Sequence, residues 1–199
     1  MRIVTAQELG SWLAGGKVLE EDARGPKVVA LKNGLFLKIF HNRRHPLLAR
    51  LFPFAERFTR NTERLRDLGI PSPEVVENFW ITKEKGLSGC IYRPLPGTSL
   101  EIIYRDSPED FFSSIPRLAK FIRELHNKGI YFRSLHLGNI VLTPNGELGL
   151  IDVLDLRKKH APLNNRLTAR NFDHLNSYLE RNKITDFPME EMLKIYRSL

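Results

Sequence analysis

The feature that most constrains the fold of this chain is a change in hydrophobic period near residues 93–97. Before this point, short apolar runs rich in β-branched residues, separated by turn residues, predict strands. These runs are residues 17–19, 27–31, 35–40, 75–81 and 88–92. After it, Leu118, Phe121, Ile122 and Leu125 follow the helical period. The sequence therefore predicts an α+β chain, with a strand-rich lobe over 1–93 and a helix-rich lobe over 94–199.

Each half also contains elements of the other type. In the first half, apolar residues recur at helical intervals from Leu47 to Leu68, and Pro53 is expected to break or restart this helix. In the second half, Pro144-Asn145-Gly146 separates two apolar runs, 140–142 and 148–150, and predicts a hairpin. The tail is predicted to be helical from Ala169 onward.

Composition excludes several classes of protein. The single cysteine, Cys90, forbids an internal disulfide and removes cysteine-based zinc sites. No run of about 18 apolar residues predicts a spanning helix, and residues 1–16 lack the apolar stretch of a secretory signal. The expected location is therefore the cytoplasm. The 31 Lys+Arg and 23 Asp+Glu among 199 residues give a net charge of +8, which suits an anionic partner without identifying it.

The segment from 125 to 157 carries the most chemical information. It predicts a helix, a tight loop, a strand, a turn and a second strand, which would place Asn139 and Asp152 side by side. An amide oxygen and a carboxylate are ligands that Mg²⁺ accepts, with phosphate oxygens completing its shell. Alternatively, Asn139 caps a turn and Asp152 is a surface loop residue.

This segment resembles the catalytic loop and metal loop of the protein-kinase-like superfamily. The likeness rests on Leu-His at 125–126, Leu-His-Leu-Gly-Asn at 135–139, and Leu-Ile-Asp at 150–152. Within that superfamily, the segment most resembles the bacterial lipopolysaccharide core heptose/Kdo kinases and the related toluene tolerance proteins. The resemblance spans about residues 17–157. The resemblance implies a minimal bilobal kinase-like fold with a truncated helical C-lobe, ATP and Mg²⁺ as cofactors, and a sugar acceptor.

The resemblance also implies roles for residues in the first half. Lys38 matches the strand lysine that holds the nucleotide phosphates, although it is alternatively a lysine at a strand's solvent edge. Its helix partner is expected to be Glu63, with Glu56 as the second choice. Tyr92 and Pro94 lie in the segment 91–100, which resembles the hinge that meets adenine and is alternatively a proline-rich linker.

Two departures from the kinase pattern affect the expected chemistry. Ser134 stands where kinases have the catalytic aspartate, and Phe132 replaces the histidine before it. Losing a general base typically lowers the rate by about 10²- to 10⁴-fold. His136 or Asp155 is a candidate substitute; alternatively, His136 supports the loop and Asp155 is a turn or salt-bridge residue.

The second departure concerns the turn that should cover the phosphates. Residues 20–25 contain one glycine and three acids, so weak nucleotide affinity is expected. The tail after Asp152 is also too short for a full activation segment, which argues against a protein-substrate kinase.

Basic residues concentrate around the first-half helix. Arg50, Arg57 and Arg64 repeat every seven residues and predict a stripe, with Arg43, Arg44 and Arg60 nearby. The stripe is either a solvated face or a surface for anionic lipid phosphates or a phosphorylated sugar acceptor. Arg133, beside Ser134, is a further candidate for an acceptor phosphate.

Three functions follow from these observations, in order of preference. The first is an ATP- and Mg²⁺-dependent kinase of a lipopolysaccharide core sugar, an anionic sugar or glycolipid, with peripheral contact at the inner membrane face. The second is a pseudokinase, a scaffold or regulator of envelope biogenesis without phosphotransfer because of Ser134. The third, a basic nucleic-acid-binding module, has only charge in its favour, and nucleic acid is not an expected partner.

Overall fold

The computed structural model describes residues 1–41 and 46–199 and contains two compact units. The first comprises Met1–Asp67 and Ser72–Leu95, and the second comprises Leu68–Pro71 and Pro96–Leu199. The division falls after Leu95, whereas the sequence analysis placed it after Arg93.

Six strands form one sheet in the described part of the first unit. They are β1 (Arg2–Ile3), β2 (Lys17–Asp22), β3 (Gly25–Ala30), β4 (Phe36–Phe40), β5 (Glu74–Thr82) and β6 (Leu87–Arg93). Their spatial order is β1-β5-β6-β4-β3-β2. The pairing of β1 with β5 is parallel, and the other pairings are antiparallel. The strands predicted from the apolar runs are confirmed.

The central strand β4 divides its side chains between the two faces of the sheet, because successive residues of a strand point to opposite sides. Leu37 and Ile39 belong to the hydrophobic core, together with Val29, Phe79 and Ile91. On the other face, Phe40 packs against Phe58, with ring centroids 5.7 Å apart. Lys38 lies on this second face.

Three helices accompany this sheet in the described residues: α1 (Ala6–Gly15), α2 (Pro46–Leu51) and α3 (Phe54–Asp67). The sequence analysis did not predict α1, which begins at a Thr5 cap whose side chain accepts a hydrogen bond from Glu8 N. Pro53 separates α2 from α3, as predicted. This break corrects the predicted arginine stripe, because Arg50 lies on α2 whereas Arg57 and Arg64 lie on α3. Arg43 and Arg44 lie outside the described residues.

The second unit combines helices with short strands. Its strands are β7 (Thr98–Ser99), β8 (Ile130–Tyr131), β9 (Ile140–Leu142), β10 (Leu148–Leu150) and β11 (Arg157–Lys158). Its helices are α4 (Leu100–Asp106), α5 (Pro108–Ser113), α6 (Ile115–Asn127), α7 (Asn165–Arg181) and α8 (Met189–Ser198). The predicted hairpin is confirmed by the antiparallel pairing of β9 with β10, and the predicted helical tail by α7 and α8. The α+β class is therefore confirmed.

The end of α6 sets the course of the chain into the loop that follows. The helix buries Leu118, Phe121 and Leu125 along one side, as its period predicts. Gly129 then adopts a φ of 70°, and a Cβ there would meet Ala161 O at 2.4 Å. A glycine is therefore required at this turn into β8.

Within the described residues, no helix combines the length and apolar character needed to cross a membrane.

Candidate active site

The site loop, residues 132–139, runs from β8 to β9 and brings Asn139 next to the end of β10. Asn139 closes a 3-10 turn, Leu137–Asn139, in which its N–H donates to His136 O at 2.9 Å. Ile151 N in turn donates to Asn139 O at 3.0 Å. Asp152 follows directly, so the backbone pairing places Asn139 and Asp152 at the same end of the β9–β10 hairpin.

Ser134 and Asp155 form a hydrogen-bonded pair within this region. Ser134 Oγ donates to Asp155 Oδ2 at 2.7 Å, and Arg133 Nε lies 3.5 Å from the same oxygen. The Asp155 side chain is 24% exposed, whereas that of Arg133 is 64% exposed. Among the described residues, Asp155 Oδ1 is buried without a hydrogen-bond partner. A buried oxygen of this kind costs free energy, and a catalytic role is one explanation for its retention.

The amide of Asn139 joins the loop to His136. Asn139 Nδ2 donates to Ser134 O at 3.0 Å and approaches His136 Nε2 at 3.1 Å. Because the amide nitrogen can only donate, His136 Nε2 is the acceptor and its proton resides on Nδ1. Both contacts use Nδ2, and the amide oxygen is the atom that a divalent cation requires.

His136 is held by an aromatic stack. Its ring lies 4.3 Å from that of Tyr178 with an interplanar angle of 9°. Burial lowers the pKa of His136, and the carboxylates of Glu101 and Asp152 partly oppose this. Burial and the charge of Glu101 raise the pKa of Tyr178. The stack and the Asn139 contact at Nε2 hold the imidazole against the site loop.

Gly138 allows the close approach of Glu101 to the site loop. A Cβ on Gly138 would meet Glu101 Oε2 at 2.6 Å and the His136 ring at 3.4 Å. A larger residue would therefore displace the Glu101 side chain or the imidazole.

Asp152 is suited to binding a metal together with Asn139. Its φ of 50° and ψ of 45° lie in the left-handed region, which non-glycine residues rarely adopt outside turns and functional sites. The two side chains offer one carboxylate and one amide oxygen, a donor set that fits Mg²⁺ when phosphates and waters supply the remaining ligands. The described residues contain no group of three or more His, Cys, Asp or Glu side chains arranged for a metal.

A buried polar chain holds the beginning of the site loop. Asn171 Nδ2 donates to Phe132 O at 2.6 Å, and its Oδ1 lies 3.2 Å from His126 Nε2. His126 Nδ1 lies 2.8 Å from Tyr196 Oη. Since Asn171 Oδ1 can only accept, His126 donates through Nε2 and accepts from Tyr196. Residues of α6, α7 and α8 thereby fix the backbone two residues before Ser134.

Lys38 occupies an aromatic environment in the first unit. It pairs with Cys90 of β6, and its Nζ lies 5.6 Å from the centre of the Phe58 ring. Burial raises the pKa of Cys90 to about 12, and the nearby charge of Lys38 opposes this rise. Lys38 is therefore a half-buried residue of a central strand and not a lysine at a solvent edge.

The orientation of α3 bears on the expected partner of Lys38. Glu63 and Glu56 are exposed, whereas the buried side of the helix carries Phe58 and Asn61. Asn61 is 2% exposed and lies three residues from Phe58, on the same side of the helix. The buried side of α3 therefore carries Asn61, and both glutamates lie on its exposed side.

The segment predicted to meet adenine contains a buried aromatic side chain. Tyr92 packs against Phe58 and Phe36, with ring centroids 5.8 and 5.7 Å away. Its side chain is therefore part of the core, and an adenine contact would involve backbone groups. Pro94 has no N–H and could offer only its carbonyl.

The acidic turn predicted to weaken nucleotide binding is a tight hairpin between β2 and β3. Asp22 Oδ1 accepts from Arg24 N at 2.8 Å, and this bond lowers the pKa of Asp22. Lys27 Nζ lies 2.9 Å from Glu20 and 3.6 Å from Asp22. One lysine thus lies close enough to both carboxylates to offset part of their charge.

Sequence reasoning did not identify the supporting residues Asn171, Tyr178 and Glu101. Each lies far in sequence from the loop it contacts, and no local pattern marks it. His126 was visible within the Leu-His pair at 125–126, but its role depends on α7 and α8.

The model of the lipopolysaccharide kinase (Kdo/WaaP) family matches residues 29–196. No curated protein matches the chain. Among solved structures, the chain is similar to the Cydia pomonella granulovirus kinase PK-1, with 14% identity and a TM-score of 0.41. That match covers 80% of this chain and 58% of the viral kinase, so the chain spans less than two thirds of its length.

Proposed function

This chain belongs to the lipopolysaccharide kinase (Kdo/WaaP) family, and from this premise we propose that it transfers the terminal phosphoryl group of ATP to a lipopolysaccharide sugar. The sugar hydroxyl oxygen bonds to the terminal phosphorus, the bond from that phosphorus to the bridging oxygen breaks, and ADP leaves. The acceptor is an anionic sugar or glycolipid of the core, encountered at the cytoplasmic face of the inner membrane.

The Ser134–Asp155 hydrogen bond is the observation that carries this proposal. Ser134 Oγ accepts the proton of the sugar hydroxyl while its own proton moves to Asp155 Oδ2, 2.7 Å away. The carboxylate thus supplies the base that the serine lacks. Arg133 Nε, 3.5 Å from the same oxygen, holds the carboxylate in place.

Asn139 and Asp152 serve the nucleotide phosphates in this proposal. Their oxygens would hold Mg²⁺, which when bound neutralises charge on the transferred phosphoryl group. A separate proposal is that Lys38, in the first unit, binds nucleotide phosphate through its charge. His136 is a positioning residue, because its Nε2 accepts the Asn139 amide and thereby fixes which way the amide oxygen points.

The proposal is tested first by nucleotide binding. We expect millimolar Mg-ATP to raise the melting temperature of the protein, and Asp152→Asn to remove most of that rise. Asp106→Asn, at an exposed position, is the matched control and should behave as wild type. A wild-type protein whose melting temperature does not respond to Mg-ATP would contradict the proposed kinase activity.

A second candidate function is a family member without phosphotransfer, a pseudokinase scaffold or regulator. The acidic hairpin at 20–25 favours this alternative, because its carboxylates would repel a triphosphate that kinases grip with glycine N–H groups. A protein that binds Mg-ATP but transfers no labelled phosphate to any core oligosaccharide would support the pseudokinase. Transfer at a rate abolished by Asp152→Asn would exclude it.

A further inference from the structure

The helix α2 and the residue that follows it expose four large apolar side chains. Their exposed fractions are 56% for Leu47, 51% for Leu48, 64% for Leu51 and 65% for Phe52. Scattered exposed apolar residues are normal on a protein surface, but four within six positions form a patch that function should explain. We call Leu47, Leu48, Leu51 and Phe52 the apolar ridge.

The ridge is a continuous surface of the helix. Leu47 and Leu51 are four residues apart, as are Leu48 and Phe52, so each pair lies on one side. Phe52 N donates to Leu48 O at 3.0 Å, which continues the helical turn beyond Leu51. Among residues 47–52, the small residue Ala49 is the one that is buried, at 5% exposure. The large side chains therefore point outward although folding alone would favour burying them.

Every charged residue in the stretch of sequence that contains the apolar ridge is positively charged. Between Asp22 and Glu56 the chain has no acidic residue. The basic residues of this stretch are Arg24, Lys27, Lys32, Lys38, Arg43, Arg44 and Arg50. Arg50 lies within α2 and is exposed, and Arg60 and Arg64 are exposed on α3. Glu56 and Glu63 are also exposed on α3, so α3 carries both signs of charge, whereas Arg50 is the one charged residue of α2.

We propose that the apolar ridge inserts into the interfacial region of an anionic lipid bilayer, with Arg50 contacting lipid phosphates. This inference rests on the proposed function, because a kinase of a membrane glycolipid must meet its acceptor at a bilayer surface. An apolar face combined with basic residues is the pattern that gives stable peripheral binding, since neither signal alone suffices. A second copy of the chain fits less well, because pairing two ridges would bring the arginines of both copies together.

Vesicle binding without nucleotide or acceptor tests the inference. We expect the protein to sediment with vesicles of phosphatidylcholine and phosphatidylglycerol, and much less with phosphatidylcholine alone. The double variant Leu51→Ser/Phe52→Ser should bind the anionic vesicles about tenfold more weakly. Arg50→Glu should also weaken this binding by about tenfold. Val76→Ser removes an apolar side chain that is 55% exposed on β5 and should bind as wild type.

Insertion itself is measured with a fluorescent side chain in the ridge. Phe52→Trp should add emission that brominated lipids quench, whereas Val76→Trp should add emission that they do not quench. Unquenched Phe52→Trp in vesicle-bound protein, or wild-type binding by the double variant, would overturn the inference. So would a lipid-free dimer that the double variant converts to a monomer, since the ridge would then be an interface between copies.

These results are separable from those that test the kinase activity. The ridge variants should transfer phosphate to a soluble core oligosaccharide at the wild-type rate, because the ridge is no part of the catalytic machinery. An inactive protein that still inserts Phe52→Trp would retain the membrane inference and reject the kinase. If the protein transfers phosphate but brominated lipids do not quench Phe52→Trp, the kinase activity is retained and the membrane inference is rejected.

Discussion

At the scale of single residues, the hydrogen bond between Ser134 and Asp155 is the basis of the proposed proton path. A serine hydroxyl is not a general base at neutral pH, but its hydrogen bond to a carboxylate gives the proton a destination. The two residues are 21 positions apart and meet because β11 pairs with β8 on either side of them. If this pair forms the proton-accepting unit, the two side chains should act together.

A double-mutant cycle on this pair tests their coupling. Asp155→Asn should lower kcat for phosphate transfer by about 10²- to 10⁴-fold, because the carboxylate is the final proton acceptor. Ser134→Ala should also lower kcat, but should have little further effect once Asp155 is replaced. The KM for ATP should change little in all three variants. Independent, multiplicative losses in the double variant would contradict a shared proton path.

The sequence indicated Ser134 and Asp155 as separate candidates but did not show that their side chains form a hydrogen bond. Ser134 was recognised from its position in the kinase-like motif, and Asp155 was one of two candidate replacements. We propose Asp155 over His136 because the His136 ring already contacts Asn139 and Tyr178, which no local sequence pattern shows. The position of Asn61 was also hidden, since a helical period cannot show which polar residue faces a sheet.

At the scale of secondary-structure elements, the buried polar chain links three helices to the site loop. Asn171 is 1% exposed, and its side chain satisfies both Phe132 O and His126. Removing a buried partner leaves polar groups unsatisfied, which costs more than the bond itself contributes.

Asn171→Ala should therefore destabilise the second unit. We expect its free energy of unfolding to fall by about 1–3 kcal/mol in urea titration, and transfer activity to fall as the site loop loosens. Asn182→Ala is the matched control, because its side chain also donates to a backbone carbonyl, that of Tyr178, but at an exposed position. If both variants lost the same free energy of unfolding, burial of the hydrogen bonds of Asn171 would add nothing to their contribution.

The buried polar chain of Asn171, His126 and Tyr196 also predicts that the free energy of unfolding depends on pH. Burial lowers the pKa of His126 from 6.5 to about 4, so the folded protein resists protonation that the unfolded chain accepts. As the pH falls from 6.5 towards 4, protons bind the unfolded state preferentially, and stability is lost by about 3 kcal/mol at most.

Comparison with a non-titrating variant isolates this contribution. His126→Gln should be less stable than wild type at pH 7, but should lose less stability between pH 6.5 and pH 4. His160→Gln, at an exposed histidine, should keep the wild-type slope. If the free energy of unfolding of His126→Gln fell with pH as steeply as that of wild type, protonation of His126 would not be the cause of the loss.

Elements with strong periodicity or a clear turn signal were predicted from the sequence, and three helices were not. The β-branched runs of the sheet and the apolar side of α6 each identify their structure locally. The helix α1 was missed although Thr5 and Glu8 have the spacing of a capping box. Helices α4 and α5 were also missed, because each is too short for a period to show.

At the scale of the whole molecule, the net charge of +8 gains meaning from its distribution. The stretch without acids between Asp22 and Glu56 contains the apolar ridge, so charge and exposed apolar surface coincide. The seven-residue repeat of Arg50, Arg57 and Arg64 predicted a basic stripe for an anionic surface, and the break at Pro53 divides these residues between α2 and α3. The ridge was not predicted from the sequence, because a helical period of apolar residues does not show which of them remain exposed.

The most direct test of the central proposal is transfer of labelled terminal phosphate from ATP to purified core lipopolysaccharide. The proposal predicts Mg²⁺-dependent labelling of the sugar by wild-type protein, reduced by about 10²-fold or more in Asp155→Asn and retained in Asp106→Asn. Labelling that Asp155→Asn leaves unchanged would contradict the proton path, and the absence of labelling with a protein that binds Mg-ATP would contradict the kinase activity itself.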